Sequence, residues 1–555
     1  MGYFTDLNET MFLSAMLPIA EKENLDKFLE ILEDSNVSQI IIDSLNYGEK
    51  RGRTGYDPFN LFATIIYSFT KNTGSLRKIE ENIMFDTRFM YLMQEKKPTY
   101  ATISKFINNV IVGNAKEIFS RIVNSILNKY DIDTSDAFID GTKLEANANK
   151  YKFVWKPTKF HTNLNIKIND LIRKYFSLPD YKTTYISKEV ANYLNNMNEK
   201  MIKEGIDPKT IRRGSGIRNP QIVKDYFLLY DYLIKLLDYE EQESICGENR
   251  NSYFKTDKDA TAMCLKEDYY SGLGSNMHAG YNVQIMVSKG IILDYLVLQD
   301  RNDMKSLVPM LDDYYLYYGK YPVNVCADSG YATTEGYRYL NEKGIGNYIK
   351  YMYWQQDMEG KHFDPYEINE DGTLTCLDGE TVEGCLKYER RYPRKKGNTL
   401  FVVKNCNYCR HKQECGLLLK YPIKDVRIFD VNTEMYRFKK EATKNLLSPK
   451  GIEMRINRSS QVEGAFGVIK QDMEYDRIRR RGMENVTAEI MLICLGYNIK
   501  KLITLIQGKA KTEYWKAPEN LQPEQKPTPN LKKIIKQKAK KVGINAQIRN
   551  KYKYK

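Results

Sequence analysis

Ser135-Asp136-Ala137-Phe138-Ile139-Asp140-Gly141-Thr142 is the stretch from which the fold is read. Three apolar residues, Ala137 to Ile139, run into a carboxylate and then a glycine. A short apolar run bounded by turn residues is the pattern of a buried strand. Asp140 is therefore expected at the strand's C-terminal edge, with Gly141 letting the chain turn. The same pattern recurs at Val323-Asn324-Val325-Cys326-Ala327, followed by Asp328, Ser329 and Gly330. A third acid, Glu463, lies on a segment over 461–473 whose Val462, Ala465, Phe466, Ile469 and Met473 have helical spacing. Gly467 and Lys470 return near the face of Glu463. Two strand acids and one helix acid make an all-oxygen donor set of the kind Mg²⁺ takes, with positions left for phosphate. Two such ions suit phosphodiester chemistry, with Lys470 then touching a phosphate.

The bulk of the chain sets limits on this. With 555 residues, 42% of them hydrophobic, several domains and an ample core are expected. No run of 18 apolar residues occurs, so no membrane span is expected. The first residues do not read as a secretory leader. Net charge is +14, which suits a polyanionic partner. Most of the excess sits in residues 509–555, with 14 Lys and Arg against 3 Glu. Nine cysteines, an odd number, do not suggest a disulfide framework.

In chain order, residues 1–130 read as an all-helical N-terminal domain, compatible with a helix-turn-helix DNA reader or a plain bundle. Ser75 is expected to cap the helix that begins at Leu76. Residues 158–249 read as a helical insertion, with a basic loop at Arg212 and Arg213. Tyr281, Val283, Ile285 and Val287 alternate with Asn282, Gln284, Met286 and Ser288, Lys289-Gly290 turns, and residues 291–298 run back as a hairpin. A helix over 304–318 and a strand over 347–351 follow. Residues 488–506 form a strongly apolar helix, and 508–555 a basic flexible tail, helical around 531–541.

Residues 356–447 lose apolar periodicity and gather cysteines. Cys406, Cys409 and Cys415 give C-x₂-C-x₅-C, and Cys376 is the candidate fourth thiolate, with Cys385 and His411 competing. Tetrahedral Zn²⁺ takes four such ligands, so a zinc-stapled subdomain is a candidate. Arg477, Arg479, Arg480 and Arg481 follow the Glu463 helix and are candidate phosphate contacts.

Several motifs occur together: Tyr56-Asp57-Pro58, Ser75-Leu76-Arg77, Asp140-Gly141-Thr142-Lys143-Leu144-Glu145-Ala146-Asn147-Ala148 and Gly280-Tyr281-Asn282-Val283-Gln284. They are followed by Asn302-Asp303, Ala327-Asp328-Ser329-Gly330-Tyr331, Val462-Glu463-Gly464-Ala465-Phe466-Gly467 with Lys470, and Arg481-Gly482. From about residue 10 to 505 the chain resembles the DDE-type transposases of bacterial insertion sequences, in the branch with a Cys-rich insertion between the second Asp and the Glu. The resemblance implies an α/β fold. An RNase H-like catalytic core, a mixed sheet flanked by helices, would be assembled from residues 131–157, 250–355 and 448–507. It implies Asp140, Asp328 and Glu463 as ligands of two Mg²⁺ (or Mn²⁺) ions. Many relatives place a Tyr and an Arg before the Glu, the Arg four residues earlier; here Ser459 stands at that position, and Arg458, one place before it, is the candidate DNA contact in that role.

The expected function is metal-dependent cleavage and strand transfer of double-stranded DNA, at transposon ends and target. It would be carried out by a homodimer or larger assembly at the bacterial nucleoid in the cytoplasm. The alternatives are a domesticated, non-catalytic DNA-binding regulator and an RNase H-like nuclease without strand transfer.

Overall fold

A computed structural model describes residues 17–45, 55–71, 74–177, 182–214, 218–265, 277–386, 397–419, 425–508, 514–532 and 534–537. Seven α-helices come first: α1 Ile19–Asp34, α2 Val37–Leu45, α3 Pro58–Thr70, α4 Leu76–Phe85, α5 Thr87–Met93, α6 Tyr100–Phe106 and α7 Ala115–Lys129. Asp57 caps α3, its Oδ1 accepting the N–H groups of Phe59 and Asn60, while Pro58 occupies the first turn where no N–H is needed. Ser75 stands at the cap position of α4 but makes no side-chain capping bond, unlike the expectation.

The sheet is built from β1 Asp136–Glu145, β4 Thr261–Cys264, β5 Met277–Ser288, β6 Ile291–Leu298, β7 Asn324–Cys326 and β8 Gly346–Asn347. β5 runs antiparallel to β1, β4 and β6. β1 runs parallel to β7, and β7 parallel to β8. Lys289 (φ 50°) and Gly290 (φ 78°) make the tight β5–β6 turn that the sequence predicts. Helices α11 Leu307–Tyr318 and α12 Thr334–Glu342 flank the sheet, as does α17, named below. This is the α/β architecture of an RNase H-like core: a mixed sheet flanked by helices, with a helical N-terminal region.

Between β1 and β4 the chain makes β2 Phe153–Trp155, α8 Thr158–Tyr175, α9 Ser187–Lys203, α10 Gln221–Cys246 and β3 Ser252–Phe254. β2 and β3 pair antiparallel, and the three helices close on a core of their own around Ile168, Val190, Met197, Met201, Val223 and Leu229. After β8 come α13 Trp354–Met358, β9 Tyr366–Ile368, β10 Leu374–Cys376, β11 Thr381–Val382, β12 Gly384–Cys385, β13 Thr399–Val403, α14 Lys412–Leu419 and β14 Arg427–Val431. They form two small sheets around Leu374, Phe401, Val403 and Phe429. α15 Thr433–Leu447, α16 Pro449–Arg458 and α17 Met483–Ile506 then return to the main body.

The N-terminal helices share one continuous hydrophobic core with the sheet, rather than forming a separately cored unit. α17 lies between α3 and β6, which explains its apolar sequence. Gly496 permits the α3 contact, because a Cβ there would stand 2.8 Å from the Phe69 carbonyl carbon.

Three expectations change. β1 does not end at Asp140; it continues to Glu145, because β5 offers a complementary edge over its whole length. Gly141 therefore makes no turn. It sits opposite Gln284, whose amide fills the space a Cβ would take. The 347–351 strand is confined to Gly346–Asn347, where pairing with β7 ends. The 461–473 helix is instead an irregular continuation of α16, with π turns over Ser459–Glu463 and Val468–Asp472 around a short α segment. In the tail, residues 514–530 lie along α16 and α13: Asn457 donates to the Trp515 carbonyl and Lys526 pairs with Asp357. The lysine-rich end beyond 537 and loop residues 215–217 lie outside the described residues.

Candidate active site

Asp140 and Asp328 reach one place through strand register. The β1–β7 ladder pairs Asp136 with Asn324, Ala137 with Val325 and Phe138 with Cys326. The ladder ends there, and Asp140 and Asp328 each lie two residues beyond it, close enough for the charge of Asp328 to act on Asp140. Asp140 Oδ1 accepts the Gly141 N–H at 2.9 Å. Asp328 caps the turn Ser329–Tyr331, its Oδ1 accepting the Gly330 N–H at 2.7 Å. Glu463 arrives from the π turn after α16.

Arg458 joins the strand acid to the helix acid. Its Nη1 donates to Asp140 Oδ2 at 2.8 Å and its Nη2 to Glu463 Oε1 at 3.2 Å. The other Glu463 oxygen accepts the Ser459 hydroxyl at 2.8 Å. Burial raises the Asp140 carboxyl above its ordinary value; Arg458 and the Gly141 N–H oppose this, and the like charge of Asp328 reinforces it. Burial alone would disfavour the Arg458 cation, but Asp140 and then Glu463 hold it protonated. Lys470 stands beside the same strand, its Nζ donating to Thr142 Oγ1 at 2.7 Å.

The arginines beyond Glu463 are less uniform than their run suggests. Glu489, buried on α17, accepts the backbone N–H groups of Arg479 and Arg480. The Arg480 side chain reaches Asn108 Oδ1 at 2.9 Å and that of Arg481 reaches the Asn147 carbonyl at 2.7 Å. Arg477 pairs with Glu145 at 3.6 Å. This segment clips the end of β1 to the N-terminal helices, while Arg479 and Arg481 remain exposed.

A support whose residues the motifs include, but to which the sequence assigns no role, joins β5 to the turn after Asp328. Asp303 accepts from Asn282 Nδ2 at 2.8 Å and from Gln284 Nε2 at 2.7 Å. Gln284 Oε1 in turn accepts the Tyr331 hydroxyl. β5, the partner of the strand bearing Gly141, is thereby tied to the turn after Asp328. The signal was present: Asn282 and Gln284 are polar side chains on a fully buried strand, and such groups are kept only with partners.

Cys376, Cys406, Cys409 and Cys415 line one cavity of about 240 Å³ together with Asp378 and His411; Cys385 is not among its walls. The Cys409 sulfur accepts the His411 N–H at 3.3 Å. Burial pushes the Cys415 thiol up to about 11. All nine cysteines are free thiols.

Among the described residues no three His, Cys, Asp or Glu side chains converge closely enough to hold a metal ion as they stand. In donor chemistry both sets fit: three carboxylates suit a hard divalent cation, and four thiols suit zinc. At the acids, the Arg458 guanidinium bridges two of the carboxylates. No described helix is long and apolar enough to cross a membrane.

Comparison with known families gives two matches. Residues 375–503 match the family described as Transposase DDE domain, and residues 13–109 the family described as Transposase domain (DUF772). Glu463, Arg458, Lys470 and the four cavity cysteines fall within the first match, whereas Asp140 and Asp328 lie outside both. No curated protein and no solved structure matches the chain.

Proposed function

From a chain that belongs to the insertion-sequence transposases of the DDE type, we propose that Asp140, Asp328 and Glu463 form the centre that cuts DNA at transposon ends and joins it to target DNA. The observation that supports this is that Arg458 joins Asp140 to Glu463, while Asp328 lies, like Asp140, two residues past the β1–β7 ladder. The three carboxylates would hold two Mg²⁺ or Mn²⁺ ions. Such ions supply a lowered pKa to an attacking water or 3′-hydroxyl and stabilise the leaving oxygen. Arg458 keeps Asp140 and Glu463 paired, which limits the repulsion between the two like charges. Lys470, held at Thr142 two residues from Asp140, is placed to meet a phosphate beside the reacting bond. Arg479 and Arg481 extend that contact along the backbone, and Arg477 and Arg480 brace them. Two DNA ends would be paired by a homodimer or larger assembly.

The test is a plasmid-joining assay with labelled end fragments and Mg²⁺. Wild-type protein is expected to yield joined product. Asp140→Ala is expected to abolish cleavage while leaving DNA affinity intact, and full cleavage by that variant refutes the assignment. Nicks without joining point to a nuclease, and binding alone to a regulator. The cavity cysteines are assigned a structural Zn²⁺ held by Cys376, Cys406, Cys409 and Cys415. Elemental analysis of the purified protein is expected to find one zinc per chain, lost together with subdomain stability in Cys409→Ser; protein free of zinc removes the assignment.

A further inference from the structure

The paired strands β2 and β3, through which the helical insertion leaves and rejoins the core, carry an unusual outward surface. Phe153 and Trp155 share one face of β2, and their rings are 45% and 50% exposed with Val154 half-buried between them. Tyr151, two residues earlier, is 82% exposed, and Phe160 in the first turn of α8 is 67% exposed. A solvated strand face ordinarily carries polar side chains; large rings gathered on one face mark a contact surface. Lys150, Lys152, Lys156 and Lys159 are interleaved with these rings, and no Asp or Glu occurs between Glu145 and Asp170.

A chain of contacts leads from the ribbon towards the acids. The Arg301 guanidinium lies 5.7 Å from the Trp155 ring centroid. Two residues on, Asp303 is held by Asn282 and Gln284, and Gln284 is bonded to Tyr331 in the turn after Asp328. At the other end, Asn147 joins the start of the ribbon segment to Arg479 and Arg481. Phe153 and Trp155 stand nearly perpendicular, centroids 5.7 Å apart at 89°, so each ring braces the other.

We propose that this ribbon binds an unpaired stretch of DNA strand beside the cleavage site, its bases stacking on Trp155, Phe153 and Tyr151 and its phosphates meeting the interleaved lysines. The proposal rests on the reading of the chain as a DNA-cutting enzyme and adds to it a preference for strand that has left the duplex. Exposed rings between cations are the chemistry of single-strand binding, because a base offers a free face only when it is unpaired. Lysines alone would serve duplex backbone equally well.

The test uses the full-length protein and two labelled probes, a 20-nucleotide mixed-sequence single strand and the duplex of the same sequence. Phe153→Ala and Trp155→Ala are each expected to weaken single-strand binding about ten-fold, in line with the loss of one stacked base. Trp155→Phe is expected to retain most of the affinity, and duplex binding to stay within about two-fold of wild type, since phosphate contacts carry it. Equal loss on both probes, or no loss on the single strand, overturns the ribbon while the DNA reading stands. Wild-type protein that binds neither probe overturns the DNA reading itself, and the ribbon with it. Sedimentation runs on the same variants complete the test. A change of assembly state with single-strand affinity unaltered makes the rings a contact between copies of the chain and overturns the proposal.

Discussion

Lys116 is held where three elements meet. Its Nζ donates to Asp294 Oδ1 on β6 at 2.8 Å, pairs with Asp313 Oδ2 on α11 at 2.9 Å, and lies 4.5 Å from the Tyr295 ring centroid. Asp294 is fully buried, and its Oδ2 has no hydrogen-bond partner among the described residues. Burial lifts its carboxyl from 3.8 to about 6, against the pull of Lys116. The folded state therefore binds a proton more readily than the unfolded chain between those two values. The contribution of this group to stability grows as pH falls through about 6 towards 3.8, and is lost as pH rises through the same window. Lys116→Met leaves the carboxylate buried without its cation. The expected cost is about 3–5 kcal/mol at pH 7, as for other broken buried pairs. It should shrink at pH 5, where Asp294 takes up a proton. Urea titrations at the two pH values check this; an equal loss at both would assign the effect to packing. None of this was legible in the sequence, where Lys116 and Asp294 lie far apart among many other charges. Arg458 illustrates the same limit. Its position near Glu463 was visible, but its bridge to Asp140 depends on a fold that brings residues 318 apart in sequence into contact.

The apolar helix α17 was legible from its run of hydrophobic residues, but the reason for it was not. A polar residue within such a run gives no sign of whether it faces water or closes a sheet. Asn498 does the latter: its Oδ1 accepts the Ile292 N–H and its Nδ2 donates to the Ile292 carbonyl, both at 2.8 Å. Those backbone groups belong to β6, which among the described residues pairs only with β5 and would otherwise present a bare edge. Asn498→Leu keeps the volume and removes both bonds, leaving a buried donor and acceptor unpaired. A loss of about 1–3 kcal/mol in chemical denaturation is expected, and a loss under half a kcal/mol would show that water replaces the side chain. β1 shows the opposite case. Its apolar start was legible, but its continuation through Asp140 was not. Gly141 reads locally as a stop, and the pairing that overrides it comes from β5, about 140 residues away. The site gained by the correction: Asp140 projects from a strand paired on both sides at its start, rather than from a loop end. The cysteine knuckle was legible because its spacing is local, whereas only the shared cavity brings Cys376 to it.

At the scale of the molecule, the arrangement separates what must be rigid from what is attached. The segments that carry the acids, Arg458 and Lys470 share one hydrophobic core with the N-terminal helices, so their relative positions are fixed by the same packing. The helical insertion is not part of that core. It leaves after Trp155 and returns at Ser252, and these two residues are register partners in the β2–β3 pair. Its apolar residues, from Leu164 to Leu236, pack on one another. The principal bonds across its base are from Lys156 to the Gly247 carbonyl and from Arg250 to the carbonyls of Lys258 and Asp259. Two cores joined through so narrow a base should unfold as separate cooperative units. Calorimetry of the intact protein is therefore expected to resolve more than one transition. Replacing residues 158–249 with a short Asn-Gly-containing turn, which suits two antiparallel strands, should remove one transition. The melting point of the main core should move by no more than about 5 °C, the shift that roughly 1 kcal/mol produces in a domain of modest size. A deletion that unfolds the main core, or a single transition in the intact chain, would mean that the insertion buttresses the sheet. The acids would then owe their placement to the whole assembly, not to β1, β7 and α16 alone.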